Sequence, residues 1–256
     1  MEEKPPPGPL PGLGDELTRS GDWLFRWRSY PPLVVLVAVL IATALGPVPW
    51  GGPESTSIWV AAGLVLGFLG LAVRGSALAF VPQGTSGRAT QAMRADTLNT
   101  AGLYSAVRHP LYLGNLLLWV GVATISGRPS MVFAIVVLFW LYYERIMIAE
   151  ERFLFERFGS DFSEWAERTP AFVPSFRNWV PSSYDFDLRF LLGRDYHAFY
   201  GFVVASWVVV FVRSAAGAGS WSPGLGWWLY LGVGTALFCL LHLLRRHTKL
   251  LRPTDR

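Results

Sequence analysis

Apolar and polar positions in this chain of 256 residues are gathered into blocks rather than interleaved. Six apolar runs stand out, at 33–45 (extended to 50), 58–81, 111–126, 131–149, 199–216 and 225–244. Most come near the ~20 residues that a helix needs to cross the hydrocarbon core of a bilayer, with the first and third short of it. The blocks predict an all-α fold, a polytopic transmembrane helical bundle of about six spans.

The polar segments are equally distinct. The opening "MEEKPPPGPLPGLG" is rich in Pro and Gly and is expected to be disordered or loosely extended. "RWRSYPP", just before the first run, reads as an interfacial belt of Trp, Arg and Tyr. Residues 83–102 are polar and rich in Gly and Thr. After the fourth run, "EERFLFERFGSDFSEWAERTPAFVPSF" interleaves Phe153, Phe155, Phe158, Phe162 and Trp165 with charges, as in a helix lying on the cytoplasmic membrane surface. Pro170 and Pro174 then stop it. The chain divides accordingly into a disordered and interfacial start (1–30), two spans with a polar loop (31–96), a core (97–180), and two further spans with a basic tail (181–256).

Composition sharpens the class. Hydrophobic residues make up 52% of the chain and charged ones 16%, against about a quarter in ordinary soluble domains. The net charge is +4, but its placement matters more than its sum. With both termini cytoplasmic, the inner segments hold Arg26, Arg28, Arg88, Arg94, Arg108, the cluster from Arg152 to Arg194, and the tail from Arg245 to Arg256. The opposite side keeps Arg128 and, near it, Arg213, while loop 46–57 has no cation. That asymmetry follows the positive-inside rule, and the basic tail reads as a topology signal rather than a nucleic-acid site. The lone Cys239 allows no internal disulfide and reads as a small buried apolar residue. His197, His242 and His247 lack the spacing and acid neighbours of a metal site, so no metal is expected.

The chemistry concentrates in "YSAVRHPLYLGN", residues 104–115. Pro110 suits the first position of a helix, so the third span is expected to begin at His109–Pro110 and to present unpaired N–H groups and a partial positive charge. That end is a seat for a carboxylate or phosphate. Gly114 removes a side chain one turn along, so a flat ligand could lie against the backbone, while Tyr104, Tyr112 and His109 can hydrogen-bond or stack. Glu150 and Glu151 follow directly on the fourth run, where carboxylates are costly unless they meet water, a cation or hydroxyl donors. Arg74, inside the second run, reads as a cation snorkelling to the interface.

The ordered set "TLNTAGLYSAVRHPLYLG", two spans, "AEERFLFERFGSDFSEW" and "RTPAFVPSF" resembles the isoprenylcysteine carboxyl methyltransferase and phospholipid methyltransferase families of integral-membrane enzymes. The resemblance covers residues 97–176. It implies S-adenosylmethionine as cofactor, held without a Rossmann fold by Tyr104, His109, Tyr112, Leu113 and Gly114 with Glu150 and Glu151 opposite. The methionine carboxylate would take the helix N-terminus and His109. It implies a lipid or prenylated acceptor entering from the bilayer, with Arg168, before the closing Pro segment, as the cation that orients an acceptor carboxylate, and Arg145 as the second candidate. Arg108 reads as a lipid-phosphate or cofactor-side contact. An amine acceptor, as in phospholipid N-methylation, is the alternative within the class. Outside it stand an NADPH-dependent membrane reductase, against which no cation run beside "RHP" reads a 2′-phosphate, and a non-catalytic subunit docking a membrane partner through the last two spans.

Overall fold

The computed structural model describes residues 12–45, 52, 55–81, 93, 95–218, 222–248 and 250–251. The Pro-rich stretch before residue 12, most of loop 46–57, much of 83–102 and the tail beyond residue 251 lie outside the described residues. Among those described there are eight α-helices and no strand: α1 (Leu13–Trp27), α2 (Pro31–Leu45), α3 (Thr56–Ala79), α4 (Pro110–Ile125), α5 (Pro129–Phe158), α6 (Ser160–Arg168), α7 (Leu188–Ala218) and α8 (Leu225–His247). A polytopic helical bundle is what results. All six apolar runs are helical, but they are not six full spans.

Among the described residues four helices, α3, α5, α7 and α8, are long and apolar enough to cross a membrane. A fifth crossing counts if α1 and α2, bent by 75° where they meet, are taken together. The remaining run, α4, has 16 residues, a length of about 24 Å. It can be short because neighbours sheathe it: Gly114, Leu118, Trp119 and the stretch from Gly121 to Ile125 are all buried. A helix enclosed by protein need not match the hydrocarbon thickness itself.

The closest packing lies between α3 and α4 and rests on glycine. A Cβ on Gly63 would sit 2.6 Å from the Gly121 carbonyl oxygen and one on Gly121 2.7 Å from that of Gly63. Gly70 and Gly114 repeat the arrangement at 2.7 and 2.8 Å. Small residues let two backbones approach where lipid supplies no hydrophobic drive for helices to associate.

Two elements depart from the sequence reading. The surface helix expected over 153–165 is divided: α5 runs on to Phe158, Gly159 breaks it at φ +54°, and the short amphipathic α6 follows. Residues 13–27, expected to be interfacial or disordered, form α1. Its Gly21 packs on α5, where a Cβ would lie 2.8 Å from the Cβ of Ala149, and Tyr142 donates to the Leu24 carbonyl at 2.7 Å. Trp23 and Trp27 on it, and Tyr30 just beyond its end, remain exposed, as in a helix lying in the interface.

The C-terminal pair, α7 and α8, is joined by polar contacts: Tyr196 to His242 and Tyr200 to Thr235, each at 3.3 Å, and Ser206 to Tyr230 at 3.0 Å. Cys239 on α8 is exposed rather than buried, because α8 is an outer helix with few neighbours.

Candidate active site

The site begins with backbone. After α6 the chain turns back along the segment that precedes α4: Arg108 N–H donates to the Pro170 carbonyl at 2.9 Å, His109 N–H to that of Ala171 at 3.2 Å, and Ser175 N–H to that of Ala106 at 2.9 Å. Trp165 Nε1 donates to the Tyr104 carbonyl at 3.0 Å. The "RTPAFVPS" segment therefore sets the start of α4, and His109 becomes its N-cap with Pro110 in the first turn. In this first turn Pro110 has no N–H, the Tyr112 and Leu113 N–H groups donate to the His109 carbonyl at 3.2 and 3.1 Å, and no side chain caps the end.

His109 is buried, 6% exposed, with a carboxylate at each ring nitrogen: Nε2 is 2.9 Å from Glu151 Oε1 and Nδ1 is 3.5 Å from Glu150 Oε2. Arg108 Nε lies 2.8 Å from the same Glu151 oxygen, and its Nη1 donates to the Ala166 carbonyl at 2.8 Å. Burial by itself lowers the pKa of the ring, but hydrogen bonds and charge from Glu150 and Glu151 outweigh it and hold the pKa above its ordinary value. The ring lies between two acids and is stacked on Tyr112, with ring centroids 5.6 Å apart. Burial, with the Glu150 charge beside it, raises the pKa of the Tyr104 phenol, which stays protonated as a donor.

These groups border a cavity of about 530 Å³ enclosed by α1, α3, α4, α5, α7 and the segment before α4. Tyr104, His109, Tyr112 and Glu150 line it, whereas Glu151, Leu113 and Gly114 do not. The acid pair is divided in role: Glu150 faces the cavity, and Glu151 holds His109 and Arg108 from behind. Space at Gly114 is filled by α3, since a Cβ there would meet the Arg74 side chain and the Gly70 carbonyl. Its missing side chain lets α3 and α4 pack closely.

Arg168 and Arg145 are exposed and lie away from the cavity lining. The cations that line it are Arg28, Arg74, Arg108 and Arg194. Arg74, read as a snorkelling residue, is instead 16% exposed and engaged across three helices. Its Nε donates to Asp195 Oδ2 at 3.1 Å, its Nη2 to Asp195 Oδ1, and its Nη1 to Asn115 Oδ1 at 2.6 Å. Asn115 Nδ2 in turn donates to the Tyr143 hydroxyl at 3.3 Å. Asp195 comes from α7, beyond the region that carries the resemblance. The one signal for this network was a charge placed inside an apolar helix.

A membrane-embedded helical bundle with an arginine-lined cavity at one end of its central helix defines the class. The phospholipid methyltransferase family model matches residues 58–161, which hold α3, α4, α5 and most of the lining. The chain is 34% identical over 160 residues to the cobalt-zinc-cadmium resistance protein CzcN of Cupriavidus metallidurans, covering 62% of this chain and 69% of that one. It is 35% identical over 77 residues to protein-S-isoprenylcysteine O-methyltransferase B of Arabidopsis thaliana (30% of this chain, 39% of that one). It is 29% identical over 114 residues to the protein-S-isoprenylcysteine O-methyltransferase of Schizosaccharomyces pombe (43% and 48%). The matched stretch therefore spans less than half of either named methyltransferase. No solved structure matches. The chain belongs to the family of isoprenylcysteine carboxyl and phospholipid methyltransferases.

Proposed function

We propose that this protein is an integral-membrane methyltransferase that binds S-adenosylmethionine at the α4 end of the cavity and methylates a lipidic or prenylated acceptor, with a carboxylate as the favoured acceptor group. The observation that carries the reading is the cavity-facing set of Tyr104, Tyr112 and Glu150 around the capped start of α4, in a family of methyltransferases. A cavity of about 530 Å³ suits a small molecule of this kind, such sites running from about 300 to 1,000 Å³.

The residues present fit the cofactor. Glu150 can accept from an ammonium or from ribose hydroxyls. Tyr104 and Tyr112 offer rings and donors. The start of α4 favours a carboxylate. His109, with both nitrogens turned to the glutamates, holds Glu150 in place more than it donates to a ligand. S-adenosylmethionine, when bound, supplies an electrophilic methyl on a sulfonium. What the chain itself must supply is placement, since transfer to a carboxylate needs alignment and no general base. Among the described residues, Arg28, Arg74, Arg108 and Arg194 line the cavity beside Glu150 and Asp195, and guanidinium donors suit an anionic acceptor. The two carboxylates are also what favours the second reading, an amine acceptor of phospholipid type. We place the cavity on the cytoplasmic side from the distribution of Lys and Arg.

The test is binding of S-adenosylmethionine to protein purified in detergent, followed by transfer of a labelled methyl group into a membrane extract. Binding and labelling of a lipid-soluble product are expected. Absence of cofactor binding by folded protein would overturn the methyltransferase reading.

A further inference from the structure

The family model ends at residue 161, yet α7 closes one side of the cavity with Arg194, Asp195, His197 and Ala198. A guanidinium has five N–H donors in a planar fork. Arg74 spends two on the Asp195 carboxylate and one on Asn115, so one N–H on each Nη carries no acceptor among the described residues. The guanidinium is held from both sides by groups that are themselves fixed: Asp195 is 7% exposed, and Asn115 is tied to Tyr143. Orientation is thereby set before any ligand arrives. The N–H groups left over are of the kind that pair with two oxygens of one anion.

Resting on the function proposed above, we propose that Arg74 binds the anionic group of the methyl acceptor and that Asp195, from the C-terminal pair of helices, is the positioning residue that aims it. The Arg74–Asp195 pair is neutral as a unit, so it acts through hydrogen-bond geometry in a water-poor wall rather than through long-range attraction. Arg194, next to Asp195, is also in the lining. On this account α7 is an integral wall of the active site and selects the acceptor, while the cofactor is held mainly by Tyr104, Tyr112 and Glu150.

Two roles must be separated, acceptor binding and a mere brace between α3 and α7. Removing one partner of a buried ion pair strands a charge, whereas replacing both with apolar groups of similar size is commonly tolerated. The experiment therefore compares wild type, Asp195→Asn, Arg74→Lys and the double variant Arg74→Met/Asp195→Leu in full-length protein in lipid nanodiscs. It measures S-adenosylmethionine Kd, kcat and acceptor KM, with methyl-labelled S-adenosylmethionine as donor and the membrane extract as acceptor source. Acceptor KM is expected to rise at least tenfold in all three variants, the double variant included, with cofactor Kd within threefold of wild type. Wild-type acceptor KM in the double variant would make the pair a brace and overturn the proposal, as would parallel loss of cofactor affinity in the folded single variants. Failure of wild type to bind cofactor would instead remove the methyltransferase reading itself, and this inference with it. If Asp195→Asn does not fold, Arg74→Lys, which keeps the charge and loses the fork, decides by the same KM criterion.

Discussion

His109 Nε2 lies 2.9 Å from Glu151 Oε1, a contact that ties the cap of α4 to the last turns of α5 across 42 residues of sequence. Glu150 approaches the other ring nitrogen, and Arg108 and Tyr112 are the remaining charged and titratable neighbours. Because His109 has a raised pKa in the folded protein, its contribution to stability is complete below its unfolded value of ~6.5 and is lost as pH rises through the folded value. The apparent melting temperature in detergent should therefore fall as pH is raised above 6.5. His109→Gln should remove that slope. The loss at high pH should be near the low end of the roughly 1.5–3 kcal/mol of a charged hydrogen bond, since both glutamates are partly exposed. An unchanged slope in the variant would show that another group titrates.

Glu150 faces the cavity and Glu151 does not, so the two should separate in a binding experiment. Glu150→Ala should weaken S-adenosylmethionine binding at least about tenfold, as expected for loss of a charged hydrogen bond. Glu151→Gln should act mainly on stability, through His109 and Arg108. Isothermal titration of both variants against their melting temperatures checks this; equal affinity losses would place both acids on the ligand.

Arg168 and Arg145 are exposed and outside the lining, despite the resemblance that singles them out. Arg168→Ala and Arg145→Ala should each leave turnover and cofactor affinity within about twofold of wild type, as is usual for exposed positions. A loss of turnover in Arg168→Ala with cofactor affinity intact would restore it as the orienting cation.

The acceptor group is separable by pH. A carboxylate is already a nucleophile, so single-turnover transfer should stay nearly flat between about pH 6 and 8, whereas an ammonium acceptor would give a rise of about tenfold per pH unit below its pKa. The guanidinium donors in the lining favour the flat profile. A steep rise would move the reading to an amine.

The glycine seam between α3 and α4 should be intolerant. Gly70→Ala or Gly114→Ala drives a methyl group into the facing backbone and should cost about 1–3 kcal/mol, as overpacking does. Thermal unfolding in detergent measures it, and a neutral Gly114→Ala would mean that the helices separate easily.

Much of this molecule was legible in its sequence. Six apolar blocks become helices because, within a bilayer, the backbone must satisfy its own hydrogen bonds. Pro110 starts α4 where a residue without an N–H belongs, and the "RHP" and "EE" motifs meet in space at His109, Glu150 and Glu151. Local rules and motif order suffice for such features. Tertiary structure alone decided that α4 is enclosed by its neighbours, that Gly114 packs against Gly70, that only one of two adjacent glutamates faces the cavity, and that Arg74 meets Asp195. The Arg74–Asp195 pair shows why: its partners are 121 residues apart, and an arginine inside an apolar run reads the same whether it reaches for lipid phosphate or for a carboxylate on another helix. Which of the two it meets depends on how α3 and α7 cross, a relation between helix faces that the order of residues along either helix does not contain.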